Sequence, residues 1–401
     1  MPGGEVLLIN MTIILPHPIS ARDSGNIRTL ELLKHKPPDF KVTILYADFK
    51  NDVKQDNVDL LNALNDIELL SVKSLDHKIY SMGLEPPLST FLLWFIKPLL
   101  IRLERVINRK KLKFLSEEDL IYLFDNIYSE ILPPTRAFIL GSNHAFIYER
   151  LKRSKIREFV TKFMAKLTFL GVLNHRISGF HLFPGMIDLV GVSPKKYITL
   201  PLGIVSAEYR VGIRNGETKF LFAAQLKEGK GILTVIEAWK LSGLGTSASL
   251  EICGWGNLAE QLKSLNIRGI NFHGYVSDSF LREMYSKCDI FLYPTRGDNY
   301  GFTILEALTS GMKVLTTKIM KGLFDIFESS GSLEYIDDDP ESFSRRMISL
   351  ATRIDEVRAN AQQTRELAVK LNDIESISNT FFDFCRQSAP GKTSSSSERF
   401  L

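Results

Sequence analysis

The second half of the chain alternates between two kinds of segment. Short apolar runs stand at 219–224, 249–253, 270–273, 289–293 and 313–317, with helical patterns between them at 232–241, 258–265, 278–286 and 303–309. Runs this short, without polar alternation, suit strands buried on both faces. Strands that alternate with helices imply βαβ units and a parallel sheet. The first half opens the same way: a strand at 6–15, a loop of turn formers from Pro16 to Gly25, a helix at 26–34 with Ile27, Leu30 and Leu33 inward, and a strand at 41–46. A helical pattern and a strand at 67–72 follow, then strands at 120–124, 137–140 and 187–193. The expectation is an α/β chain with one sheet per half. A hinge is placed at 201–216, helices at 340–352 and 356–370, and a last helix at 374–386. The tail at 388–401, with four serines in a row, reads as disordered.

Residues 289–311 carry the densest signal. Ile290 to Tyr293 is a strand that Pro294 stops. A polar loop follows, with Gly297, Asp298, Asn299 and Gly301, and then a helix on which Leu305 and Leu308 share a face and Gly311 ends the turn. The loop therefore sits at the carboxyl edge of a sheet, where doubly wound folds bind ligands. Backbone N–H groups of the first helical turn, at Phe302 and Thr303, suit a phosphate. Asp298 and Glu306 flank that turn, and carboxylates accept hydrogen bonds from sugar or ribose hydroxyls.

This stretch resembles the signature of the family 4 (group 1) retaining glycosyltransferases, Pro-Ser-x-x-Glu-x-Phe-Gly-x-x-x-x-Glu-Ala followed by Gly-x-Pro-Val. Pro294, Gly301, Glu306, Ala307, Gly311 and Val314 match; Asp298 replaces the first Glu, Tyr300 the Phe and Lys313 the Pro. The resemblance implies a GT-B fold, two Rossmann-like domains facing across a cleft: an acceptor domain at 1–203, a nucleotide-sugar domain at 204–373, and the last helix packed back on the first. Further motifs are similar in part. Lys230-Gly231 matches the family's Lys-Gly, whose Lys clamps the donor diphosphate, while Gln225 stands where an Arg is expected, with Lys227 two residues on. Gly25 keeps half of a Gly-Gly pair near the donor phosphate, and Ser24 departs from it. Phe272 to Val276 resembles Phe-x-Gly-x-Val, so Tyr275 and Val276 would line the base pocket. Gly254-Trp255-Gly256 is a tight turn at the same edge, and 198–204 resembles the interdomain run. The resemblance also implies that Glu306 holds the ribose, Asp298 holds hydroxyls of the transferred sugar, Tyr300 belongs to the donor site, and His144 stabilises the sugar ring. For His144 a loop-capping role fits equally.

A departing nucleoside diphosphate needs cations or oriented dipoles. Lys230, Gly25 and the turn after Gly301 supply these without a metal. No Asp-x-Asp stands at a strand end, and Asp337-Asp338-Asp339 reads as a helix cap. No cofactor is expected beyond the nucleotide-sugar substrate, a UDP- or GDP-sugar. The formal net charge of +4 argues against nucleic acid as partner. Charge is concentrated, however: residues 76–114 carry a net +5 and 150–176 a net +7. An apolar stretch beside these, Phe91 to Leu103, suits either a helix in a membrane interface or a buried helix with a solvated basic face. The candidate membrane surface spans 88–114 and 150–176. Cys253, Cys288 and Cys385 form no disulfide or zinc pattern, so a cytoplasmic setting is expected, peripheral on the cytosolic membrane face. The reading is a metal-independent retaining hexosyltransferase acting on a glycan or lipid-linked acceptor. Alternatives are an inactive nucleotide-sugar-binding homologue, a GT-B hydrolase or epimerase, and a non-enzymatic membrane scaffold.

Overall fold

A computed structural model describes residues 8–15, 24–48, 66–73, 97–124, 126–142, 162–163, 165–172, 175–298 and 300–390. The first domain runs β1 (Ile9–Leu15), α1 (Ser24–Lys34), β2 (Phe40–Asp48), β3 (Ile67–Lys73), α2 (Lys97–Ile107), β4 (Leu120–Leu123), β5 (Phe138–Ser142), β6 (Gly179–Leu182), α3 (Met186–Val190) and β7 (Tyr197–Thr199). Its seven strands lie in the order β3-β2-β1-β4-β5-β6-β7, and every pair is parallel. The sheet is buried on both faces because its strands are apolar at successive positions. Ile9, Met11, Ile13 and Leu15 face α1, while Ile14, Leu45, Ile121 and Leu123 face Ile101 of α2.

The second domain runs β8 (Thr218–Ala223), α4 (Ile232–Ser242), β9 (Ala248–Cys253), α5 (Ala259–Lys263), β10 (Ile270–Gly274), α6 (Asp278–Lys287), β11 (Ile290–Tyr293), α7 (Phe302–Thr309), β12 (Lys313–Thr317), α8 (Asp325–Ser329), β13 (Leu333–Ile336), α9 (Pro340–Ala351), α10 (Ile354–Ala359), α11 (Ala361–Asn372) and α12 (Ile374–Ser388). Its six strands, again all parallel, are ordered β10-β9-β8-β11-β12-β13. In both sheets the first strand has its successor on one side and a later strand on the other. That reversal opens a crevice at the carboxyl ends, between β1 and β4 and between β8 and β11.

The last helix belongs in space to the first domain. Phe381, Phe382, Phe384 and Cys385 of α12 are buried against the first sheet, with Phe381 against the Tyr122 ring at 5.4 Å. Arg386 pairs with Asp39 at 2.8 Å, and Ser378 donates to the carbonyl of Leu32 at 2.9 Å. Where the chain crosses back it pairs with the outgoing connector: Ile374 N donates to Ile204 O at 2.9 Å and Ile204 N to Asn372 O at 2.8 Å. The two domains also share apolar core. Phe183 and Met186 of the first pack with Tyr300, Met320 and Phe324 of the second, and the Phe183 and Tyr300 rings are 4.8 Å apart.

Two expectations fail. Residues 187–193 are not a strand. Gly185 and Gly191, at φ of +73° and +75°, bracket a one-turn helix over Met186–Val190, and the strand is the preceding Gly179–Leu182. That strand has only four residues and buries His181, so no apolar run announced it. Nor is 356–370 one helix: the chain breaks at Asn360 into α10 and α11. The short α8 and the edge strand β13 had no counterpart in the sequence reading. The expected tail at 388–401 lies outside the described residues beyond 390.

Phe381→Ala removes a ring that is 1% exposed and sits between α12 and the first sheet. We expect a loss of about 3–5 kcal/mol of unfolding free energy, read by denaturant titration. A loss under about 1 kcal/mol would show that α12 does not hold the first domain.

Candidate functional site

Lys230 follows β8, and Asp298 follows β11. These neighbouring strands flank the crevice of the second sheet. The chain between Lys227 and Gly231 makes a single tight turn that the β11 loop clasps. Arg296 N donates to Gly229 O at 2.9 Å. Gly231 has φ of +78°, and a Cβ there would overlap the carbonyl oxygen of Pro294. Only glycine lets the two loops close to this distance. Lys230 is carried into the loop as a result. Its ammonium lies 2.6 Å from Asp298 Oδ2 and 3.1 Å from the Tyr293 hydroxyl. The Tyr293 hydroxyl donates in turn to the same Asp298 oxygen. Lys230 and Asp298 are 18% and 19% exposed, so this is a half-sheltered ion pair at the crevice wall. Burial first, and then the charge of Asp298, pushes the Tyr293 phenol well above its ordinary pKa, so it stays a proton donor.

Glu306 sits on α7, beyond the loop. Its two carboxylate oxygens each accept from a tyrosine, Oε1 from Tyr209 and Oε2 from Tyr285, both at 3.0 Å. Tyr285 comes from α6 and is fully buried, which with the charge of Glu306 raises its pKa well above the ordinary value. Tyr209 comes from the connector between the domains. A carboxylate accepts at up to about four lone-pair sites, so two phenols orient it without exhausting it. A run of rings joins the two charged groups along β11: Tyr285 to Phe291 at 5.7 Å, and Phe291 stacked on Tyr293 at 5.9 Å.

The remaining expected residues are spread along the same edge. Gly301 precedes α7, and Phe302 and Thr303 form its first turn, both half-buried. Tyr300 turns away from the crevice into the core at 3% exposure, against Phe183, Phe302 and Phe324. Gln225 and Lys227 are both exposed at the end of β8. Gly254 follows β9, where a Cβ would overlap the carbonyl oxygen of Ala224; Leu226 N donates to Trp255 O at 2.7 Å, so the Gly-Trp-Gly turn is sewn to the β8 loop. Tyr275, 63% exposed, and the half-buried Val276 follow β10. Gly25 lies in the first turn of α1, in the other domain. His144 lies outside the described residues. Asp339 caps α9 through Ser342 N at 2.7 Å, and Asp338 pairs with Arg296 at 2.8 Å. Among the described residues, no group of three or more His, Cys, Asp or Glu is gathered for a metal ion.

Three tyrosines escaped the sequence reading. Tyr293 read as strand filler, although its place as the last residue before Pro294 puts its hydroxyl at the sheet edge. Tyr209 and Tyr285 gave no local signal, because their partner Glu306 is 97 and 21 residues away.

Residues 208–366 match the model of the family described as glycosyl transferases group 1. An uncharacterized glycosyltransferase of Methanocaldococcus jannaschii is 28% identical over 123 residues, 29% of this chain and 31% of that protein. A mannosylfructose-phosphate synthase of Agrobacterium fabrum is 38% identical over 68 residues, 17% of this chain and 15% of that protein. The chain therefore matches less than a third of either curated relative. Among solved structures, sucrose-phosphate synthase from Thermosynechococcus elongatus superposes with a TM-score of 0.69 at 14% identity, covering 94% of this chain and 98% of that one. HepE from Anabaena, solved with UDP and glucose, gives 0.64 at 13% identity over the same shares. At such identity these likenesses establish the fold.

Gly231→Ala places a Cβ against Pro294 and at a left-handed φ. The expected cost is about 1–3 kcal/mol of stability, measured by chemical denaturation. A neutral substitution would show that the two loops do not meet as described.

Proposed function

We propose that this chain, whose residues 208–366 match the group 1 glycosyltransferase model, moves a hexose, with retention, from a UDP- or GDP-sugar to a glycan or lipid-linked acceptor. The observation that carries the reading is the meeting of Lys230 and Asp298 at the crevice between β8 and β11, beside the first turn of α7. Lys230 and the amides of that turn supply positive potential where a diphosphate would depart. Glu306, oriented by its two tyrosines, suits ribose hydroxyls, and Asp298 suits hydroxyls of the transferred sugar. The likeness to HepE, whose structure holds UDP and glucose, supports a nucleotide-sugar donor.

In the proposed reaction the acceptor hydroxyl attacks the anomeric carbon on the face the diphosphate leaves. The bond from that carbon to the phosphate oxygen breaks, the bond to the acceptor oxygen forms, and the acceptor proton passes to the departing phosphate oxygen. No enzyme nucleophile and no metal is required, and we expect turnover to persist in EDTA. Lys230→Ala is expected to cost about 2–3 kcal/mol of transition-state stabilisation, roughly 30- to 150-fold in kcat/KM, with NMR of the product confirming transfer. A change under threefold in a competent assay would remove Lys230 from the mechanism. A binding-only reading is favoured by one observation, the uncharged Gln225 in an exposed position where the family carries Arg. It predicts donor affinity with no turnover on any acceptor.

The acceptor side of the reading rests on α2. Leu99, Leu103, Val106 and Ile107 are exposed along this helix, and Arg109, Lys110, Lys111 and Lys113 follow it, also exposed. An apolar stripe beside a basic cluster suits an anionic bilayer interface. This would set the protein on the cytosolic membrane face, within reach of a lipid-linked acceptor. The parts of 88–114 and 150–176 that carry the rest of this surface lie partly outside the described residues. Among the described residues, no helix is long and apolar enough to cross a membrane. Leu103→Asp with Val106→Asp should reduce co-sedimentation with anionic vesicles by tenfold or so, the loss of two apolar anchors at about 1 kcal/mol each or slightly less. Unchanged co-sedimentation would refute the surface.

A further inference from the structure

We propose that Asp298 and Tyr293 form a latch on Lys230 that lets the site distinguish a nucleotide-sugar from the bare nucleoside diphosphate. This rests on the donor reading above. The ammonium of Lys230 already holds a carboxylate at 2.6 Å and a phenol oxygen at 3.1 Å, and the phenol holds that carboxylate as well. The three groups close on one another, and Tyr293 is 2% exposed.

Two of the three N–H groups of Lys230 are already held, so a diphosphate that takes more than the third must take the place of Asp298. The exchange swaps one anion for another at the same cation, so it gains little. It also leaves Asp298 beside the diphosphate, where like charges repel. A nucleotide-sugar changes both terms. Its terminal phosphate is esterified and carries less charge, and its sugar brings hydroxyl donors that the displaced carboxylate accepts. Tyr293 keeps its hydrogen bond to Asp298 throughout, so the carboxylate turns by a small angle instead of swinging into solvent. Once the sugar has been transferred those donors are gone. Asp298 then returns to Lys230 and favours release of the diphosphate. Asp298 is in this view a specificity-determining residue, and Tyr293 a positioning residue that acts through it.

Dissociation constants for UDP, GDP, UDP-glucose and GDP-mannose, measured by calorimetry on the full chain, test the latch. The wild type should bind its sugar nucleotide at least about fivefold tighter than the matching diphosphate. Asp298→Asn removes the competing charge and should tighten diphosphate binding about tenfold, abolishing that preference. Tyr293→Phe should fall between, and the double variant should match Asp298→Asn, because the competing charge that the hydroxyl holds in place is then already gone. A merely structural role for Tyr293 would instead weaken all ligands alike and add to the effect of Asp298→Asn. Diphosphate affinity that is unchanged or weaker in an Asp298→Asn protein of wild-type melting temperature overturns the latch while leaving the donor reading intact. Binding of none of the four ligands by the folded wild type overturns the donor reading, and the latch with it.

Discussion

One adjacency brings the candidate site together. β8 and β11 lie side by side although 66 residues (224–289) separate the end of one from the start of the other, and the loops that leave them meet above the gap. Strand order alone would leave those loops some distance apart. The turn at Lys230 closes onto the β11 loop because Gly231 has no side chain to strike Pro294 and because Arg296 N hydrogen-bonds Gly229 O. An ammonium is thereby delivered to a carboxylate that belongs to a different βα unit. A half-sheltered pair of this kind stabilises a fold little, since desolvation offsets most of the Coulombic gain. Its position at the crevice, more than its energy, is what it contributes.

A second linkage runs through the chain that joins the domains. The connector leaves the first sheet at β7, pairs at Ile204 with the returning segment at Asp373, and then presents Tyr209 to Glu306. α12 meanwhile anchors that returning segment to the first sheet through buried phenylalanines. The carboxylate on α7 is thus tied by one hydrogen bond to the connector that carries the domain–domain crossing. The shared core of Phe183, Tyr300 and Phe324 holds the same region from the other side. Tyr300 packs the loop that carries Asp298 against that shared core.

Much of this was legible in the sequence because the underlying signals are local. Apolar runs of four to six residues bounded by Pro294 or Gly254 mark β11 and β9 whatever the rest of the chain does, and the second sheet was read almost strand for strand. The first half was harder. β6 is four residues long with a buried histidine, and the more apolar segment after it folds as a helical turn because two glycines bracket it. Pairings across the fold left still less trace. Nothing near Tyr209 shows that its hydroxyl meets a carboxylate 97 residues later. Likewise, the departures at Gln225 and Asp298 could be seen, but not that Lys230 and Asp298 would bind each other.

The departure at position 298 matters because of its length. An aspartate is one methylene shorter than the glutamate the family signature carries, so its carboxylate stays nearer its own loop. Here that loop is clasped to the turn bearing Lys230, and a short arm ends beside the ammonium and the Tyr293 hydroxyl. The tyrosine and the aspartate therefore make sense as a pair: a phenol at the end of β11 supplies a donor at the depth to which the shortened side chain withdraws. That geometry joins all three polar groups to one another.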